Sequence, residues 1–270
     1  MATTRAVVLA RGLGSRMRAP DAGATLDEAQ RRAADAGIKM MIPVHGRPFL
    51  DYLLGALADA GLTEAGLVVA PEHEAIAEHY RANPPARIVL TYIVQPEPVG
   101  TADAILAAET WTKGDAFLAM NADNLYPVAA LAALAALDEP GLCGFERDDL
   151  VRSSNIAAER VLAFALVDVD RDGYLTRIIE KPAWPGADLA LQDTLISMNL
   201  WRLDARIFDA CRDVPRSSRG EFELPEAVGL ATRRGARFRI IPSLGPVLDL
   251  SKRADAADVE RRLAGQVPRP

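Results

Sequence analysis

Two glycines, an arginine and a more distant lysine are the first residues in this sequence whose types and spacing suggest chemistry. Val8-Leu9-Ala10-Arg11-Gly12-Leu13-Gly14-Ser15-Arg16-Met17 is followed, after a gap, by Gly37-Ile38-Lys39-Met40-Met41-Ile42-Pro43-Val44. An apolar run stops at glycines, whose missing side chains let backbone N–H groups approach an anion. G-x-G alone occurs in many ordinary turns. The positive charges at Arg16 and Lys39 turn the reading toward a phosphate cradle.

Two later segments carry further chemistry. Gln95-Pro96-Glu97-Pro98-Val99-Gly100-Thr101-Ala102 ends a strand and opens a helix. A glutamine amide offers a donor and an acceptor, enough to pair with the edge of uracil or thymine, and a glycine permits close backbone approach to a ring. Asn121-Ala122-Asp123-Asn124 follows the apolar run Phe117-Leu118-Ala119-Met120. That order sets a carboxylate at the carboxyl end of a parallel strand, where open α/β sheets place ligands.

The elements that must position these groups alternate. Strand patterns fall at residues 6–10, 66–70, 87–94, 116–120 and 163–169, and helical patterns at 49–60, 72–80, 102–108 and 128–137. Strands interleaved with helices imply parallel pairing through crossover helices. Beyond residue 140 the pattern is strand-rich, at 164–169, 175–180 and 195–201, with Asp170-Arg171-Asp172-Gly173 as a turn. Helices at 204–210, 224–233 and 255–264 and a strand at 238–241 finish the chain. The expected fold class is α/β: a Rossmann-like mixed, mostly parallel sheet flanked by helices, with a β-rich insertion over about 140–203 inside a single domain of residues 1–270. Thr25 and Glu28 have capping-box spacing, which predicts a short helix running to about Ala36, either a lid over the ligand or a solvated surface helix.

Composition excludes several classes. With 50% hydrophobic residues and a net charge of -6, the chain can bury a core without disulfides or metals. Its acidic balance argues against a nucleic-acid partner. No apolar run approaches the ~20 residues a bilayer requires, and the start lacks signal-peptide order, so a cytoplasmic protein without membrane attachment is expected. Cys143 and Cys211 lack C-x-x-C spacing and read as packing residues; His45, His73 and His79 read as solvated. Arginine dominates the basic residues, and two of the four lysines, Lys39 and Lys181, fall inside motifs.

The ordered motifs resemble those of sugar-1-phosphate nucleotidylyltransferases, whose signature runs L-A-x-G-x-G-x-R and then K-x-x-x-P-V. The resemblance extends from Val8 to about Asp249. It implies that Leu9, Ala10, Gly12, Gly14, Gln95, Gly100 and Thr101 bind the nucleotide, and that Arg16 and Lys39 hold the triphosphate. Ile179-Glu180-Lys181-Pro182 resembles the E-K-P motif that holds a sugar 1-phosphate: Glu180 would accept sugar hydroxyl hydrogens, and Lys181 would draw the nucleophilic phosphate in. Asn199 would line the sugar side. Asp123 matches a Mg²⁺-binding aspartate, and Glu226 matches the last acid of R-G-E-x-E-I-T-D within Arg219-Gly220-Glu221-Phe222-Glu223-Leu224-Pro225-Glu226. The implied reaction joins an NTP, UTP or dTTP favoured, to a sugar 1-phosphate with Mg²⁺ as cofactor, in a family that often forms homo-oligomers. Four positions depart from the pattern. Glu226 is one methylene longer than the aspartate it replaces. Ala165 replaces a glycine near the sugar, Asp249 lacks the Gly-Thr-Pro that follows it in relatives and reads as structural, and Arg11 stands where relatives carry Ala or Gly. Two other readings remain: a non-catalytic nucleotide-sugar-binding regulatory module, and a cytidylyltransferase acting on a non-sugar phosphate.

Overall fold

The computed structural model describes residues 2–161, 164–179 and 194–270. Its strands are β1 (Arg5–Leu9), β2 (Pro43–Val44), β3 (Arg47–Pro48), β4 (Glu64–Val69), β5 (Val89–Val94), β6 (Phe117–Asn121), β7 (Asn124–Leu125), β8 (Gly141–Glu146), β9 (Ala165–Val169), β10 (Leu175–Ile179), β11 (Leu195–Leu203), β12 (Arg239–Ser243) and β13 (Leu248–Asp249). Nine of them form one sheet in the order β10-β9-β11-β6-β1-β4-β5, with β8 beside β11 and β12 beside β8. β5, β4, β1 and β6 run parallel, as the alternating pattern requires.

The innermost strand explains the layering. Ala6, Val7 and Val8 of β1 are fully buried, and because side chains alternate across a strand they serve two faces. Ala6 and Val8 pack with Leu50, Leu53 and Leu57 of the helix Phe49–Asp59 and with Leu131 and Leu134 of Val128–Ala136. Val7 packs with Ile105 of Thr101–Ala107, Phe208 of Arg206–Asp213 and Val228 of Leu224–Arg233. Each fully buried leucine contributes about 2 kcal/mol, so these faces fix the helices on the sheet. The outcome is a three-layer α/β/α arrangement.

The strand order also marks the site. From β1 the chain adds β4 and β5 on one side, then returns to add β6 on the other. Such a reversal opens a crevice at the carboxyl ends of the strands. Leu9, the end of β1, pairs with Asn121, the end of β6, so the crevice opens beside Gly12 and Asp123.

The strands between residues 140 and 203 extend this same sheet. β11 runs antiparallel to β6 over Trp201–Leu203 and to β9 over Ser197 and the two residues before it, with β8 along its other edge. Between Ser197 and Trp201 the register against β8 shifts, and Asn199 sits in that bulge at φ 55. β9 and β10 form the expected hairpin, closed by Asp170 Oδ1 accepting from the Asp172 and Tyr174 N–H groups.

The capping box lies two residues beyond its expected place. Asp27 caps the helix Glu28–Ala36 by accepting from the Gln30 N–H at 2.7 Å, and Gln30 Oε1 in turn accepts from the Asp27 N–H at 3.1 Å. This register leaves Leu26 outside the helix, where it packs into a cluster with Met17, Ala34 and Ile42. Gln30 also donates to the Pro43 carbonyl at 3.0 Å, so the helix is docked along one face. Cys143 and Cys211 are buried thiols pushed up to about 12 by burial, in keeping with packing roles. No helix among the described residues is long and apolar enough to cross a membrane.

Candidate active site

The glycine turn is built by a close meeting of backbones. Gly14 adopts φ 63, and a Cβ there would lie 2.3 Å from the Gly37 carbonyl oxygen. Gly37, at φ 75, closes the helix Glu28–Ala36 by donating to Ala33 and Ala34 carbonyls. Only glycine fits both positions, so the long 15–36 loop leaves and returns at one point. That return delivers Lys39, first residue of a 3₁₀ turn, to Gly12: its Cε lies 4.0 Å from where a Gly12 Cβ would stand. Arg16 lies on the short helix Ser15–Arg18, exposed and without an ion pair or hydrogen bond to any described residue. Arg253 holds that helix by donating to the Met17 and Ala19 carbonyls at 2.8 and 3.1 Å and pairing with Asp35.

Lys39 Nζ is paired with Asp123 Oδ2, and both side chains are largely buried. Asp123 Oδ1 has no bond to a described residue. A second carboxylate stands behind it. β13 pairs with β7 so that Asp249 is opposite Asn124, and the Leu250 N–H donates to the Asp123 carbonyl at 2.9 Å. Asp249 Oδ1 accepts from Asn124 at 3.0 Å and Ser251 at 2.9 Å, while Oδ2 pairs with Arg160. Burial pushes the Asp249 carboxyl up and the charge of Asp123 adds to this, against the opposing charge of Arg160. Tyr126, its phenol likewise raised by burial and then by Asp123, donates to the Met198 carbonyl at 2.8 Å. That bond ties the Asn199 bulge to the loop that carries Asp123.

On the other flank, Gln95 is buried and its amide nitrogen donates twice, to the Gly100 carbonyl at 3.1 Å and to Asp103 Oδ2 at 2.7 Å. The close approach that Gly100 allows is to protein: a Cβ there would sit 2.2 Å from the Phe222 carbonyl oxygen. Thr101 Oγ1 accepts from the Leu224 N–H at 2.8 Å, and Ala102 N–H donates to Phe222 at 2.9 Å. The Gly100-Thr101-Ala102 turn thus anchors the 219–226 segment. Glu226 lies half-buried in the first turn of Leu224–Arg233 and makes no hydrogen bond or ion pair with a described residue. The carboxylate that the structure brings to Asp123 is Asp249.

Leu9 and Ala10 continue β1 into the turn, the Ala10 N–H donating to Val68 at 2.8 Å. Glu180 and Lys181 lie outside the described residues. His73, expected to be solvated, is buried instead: it contacts the Ala10 backbone, and burial holds its ring toward the neutral form. Arg160 and Arg253 carry no spacing signal, because their partners are 89 and 236 residues away in sequence.

The family model for nucleotidyl transferases matches residues 34–242. The chain belongs to that family. Among its nucleotidyltransferase relatives, a low-salt glycan biosynthesis nucleotidyltransferase of Haloferax volcanii is 28% identical over 228 residues, covering 83% of this chain and 56% of the relative. A glucose-1-phosphate thymidylyltransferase of Streptomyces antibioticus is 28% identical, covering 95% of this chain and 65% of the relative. The chain therefore spans less than two thirds of these two proteins. It covers 96% of a third, a UTP-glucose-1-phosphate uridylyltransferase of Haloferax volcanii, at 29% identity and 96% of this chain. In fold the nucleotidyltransferase chain is similar to a UDP-glucose pyrophosphorylase solved with UDP-glucose, with a TM-score of 0.77 at 16% identity, covering 98% of this chain and 99% of the other. An inositol-1-phosphate CTP transferase of T. maritima gives 0.71 at 15% identity, covering 99% and 98%. The family is generally dependent on divalent metals.

Proposed function

We propose that this nucleotidyltransferase joins an NTP, UTP or dTTP in preference, to a sugar 1-phosphate, giving an NDP-sugar and pyrophosphate. The observation that carries the reading is the meeting of Lys39, Asp123 and the glycine turn at the carboxyl ends of β1 and β6. Support for the sugar comes from the thymidylyl- and uridylyltransferase relatives, which match nearly the whole chain.

A phosphate oxygen of the sugar 1-phosphate attacks the α-phosphorus, and the bond from that phosphorus to the bridging oxygen of the β-phosphate breaks, releasing pyrophosphate. Such a transfer needs alignment and charge stabilisation more than covalent help. Gly12 and Gly14 leave backbone N–H groups open toward the phosphates. Exposed Arg16 and the ammonium of Lys39 balance the charge that develops on the leaving group. Lys181 is proposed to bring in the nucleophilic phosphate, with Glu180 and Asn199 on the sugar.

The donor set fits a divalent cation. Mg²⁺ takes one or two carboxylates together with substrate phosphates. Asp123 Oδ1 is open, and Asp249 is close enough that, after burial, the charge of Asp123 raises its carboxyl. We assign Asp123 and Asp249 as the residues that would hold Mg²⁺, ahead of Glu226; when bound, the ion would neutralise phosphate oxygens in the transition state. The test is a pyrophosphate-release screen of five NTPs against a panel of sugar 1-phosphates. Release that requires both substrates supports the reading. Release from an NTP alone, or only with a phosphorylated alcohol as acceptor, contradicts it.

A further inference from the structure

Arg11 carries a charge that no described residue pairs. The residue is 7% exposed. Its guanidinium donates through Nε to the Gln95 carbonyl and through Nη2 to the Pro96 carbonyl, each at 3.2 Å. Both partners are neutral. No carboxylate among the described residues forms an ion pair with Arg11, and Nη1 bonds to none of them. The neighbouring titratable ring, His73, is held toward its neutral form by burial and, further, by positive charge that includes Arg11. The guanidinium is thus buried at Nε and open at Nη1, where a further acceptor can complete it.

The location identifies that acceptor. Along the carboxyl ends of the parallel strands the order is Asp123 after β6, Gly12 after β1, His73 after β4 and Gln95 after β5. Arg11 starts beside Gly12 and spans the end of β4 to reach the end of β5, away from Lys39 and Asp123. With the triphosphate at Lys39 and Asp123, the far flank is left for the base. Guanidinium groups donate and never accept, so Arg11 can meet a ring carbonyl oxygen but not an exocyclic amino group.

We propose that Arg11 is a base-selecting residue of this chain, donating to a ring carbonyl at a place where adenine would present its amino group, so that keto bases are favoured over adenine. This rests on the nucleotidyl-transfer reading above. It goes beyond that reading, because the corresponding residue in the resembled pattern is Ala or Gly and offers no side-chain donor.

The test is calorimetric binding of UTP, dTTP, GTP and ATP to the wild-type chain, to Arg11→Ala and to Arg11→Lys, which retains the charge without the planar fork. Wild type should bind UTP at least about tenfold more tightly than ATP, and Arg11→Ala should bring the two within about twofold of each other. If the alanine variant does not fold, Arg11→Met, which also lacks a donor, supplies the ratio, and Arg11→Lys, which still donates, should retain part of the preference. An equal loss for all four nucleotides would assign Arg11 to the phosphates and overturn the proposal, as would an unchanged ratio. If wild type binds none of the nucleotides, the functional reading falls first; if it binds them without preferring keto bases, only the role of Arg11 falls.

Discussion

Replacing Arg160 by methionine keeps much of the side chain's bulk and removes a guanidinium that two buried carboxylates share. Nη2 pairs with Asp249 and Nη1 with Asp255 at 3.0 Å, and the two acids are 4% and 5% exposed. Removing one partner of a buried ion pair costs about 3–5 kcal/mol. Asp249 keeps its bonds from Asn124 and Ser251, and Asp255 keeps the N–H groups of Ser251 and Lys252. The lower end, about 3 kcal/mol near pH 7, is therefore expected. With a urea slope of about 3 kcal/mol/M, the unfolding midpoint drops by about 1 M. The loss also depends on pH. The Asp249 carboxyl is already raised above its unfolded value by burial and Asp123, and Arg160 opposes that rise. Between the unfolded and folded values the native state holds more protons than the unfolded state, so this group's contribution to stability falls as pH rises through that window. Without Arg160 the window extends upward, and the deficit at about pH 4.5 is smaller than at about pH 7. Adding Asp249→Asn removes the stranded charge and restores about half of the loss near neutrality. Urea titrations of the wild type, the single variant and the double variant at both pH values decide this. A loss below about 0.5 kcal/mol, or one equal at both pH values, would refute the argument.

Lys39→Met should lower turnover by ~10²-fold or more with an unchanged far-ultraviolet spectrum, because it removes a preorganised charge from the transition state. EDTA should abolish activity and Mg²⁺ restore it, and Mn²⁺ titration followed by electron spin resonance should show Asp123→Asn and Asp249→Asn weakening affinity far more than Glu226→Gln does. Gly14→Ala should destabilise the chain by about 1–3 kcal/mol and raise KM for the NTP, since its Cβ meets Gly37 at 2.3 Å in a left-handed conformation; unaltered urea melts and KM would show that the turn is less tightly built.

The parallel half of the sheet and the glycine turn are legible in the sequence because both are local. Apolar runs mark β1, β4 and β6, and Gly14 and Gly37 flag the point where the loop must close. Lys39 and Asp123 are each readable from their own motifs, although 84 residues separate them. Arg160, Arg253 and Asp249 are different. Their roles come from pairings across the fold, such as β13 with β7, which no periodicity encodes. His73 misleads for a related reason: it sits among polar residues in sequence, yet the end of β4 carries it against the Ala10 backbone. Gln95 and Gly100 show that spacing does not reveal how far a motif's atoms are engaged with the protein itself.

The most direct test of the central claim is to follow label from UTP or dTTP carrying ³²P at either the α or the γ position, with a sugar 1-phosphate that supports release. Nucleotidyl transfer should leave α-label in the NDP-sugar, γ-label in pyrophosphate, and none on the protein. Label appearing as orthophosphate, or retained on the protein, would contradict it.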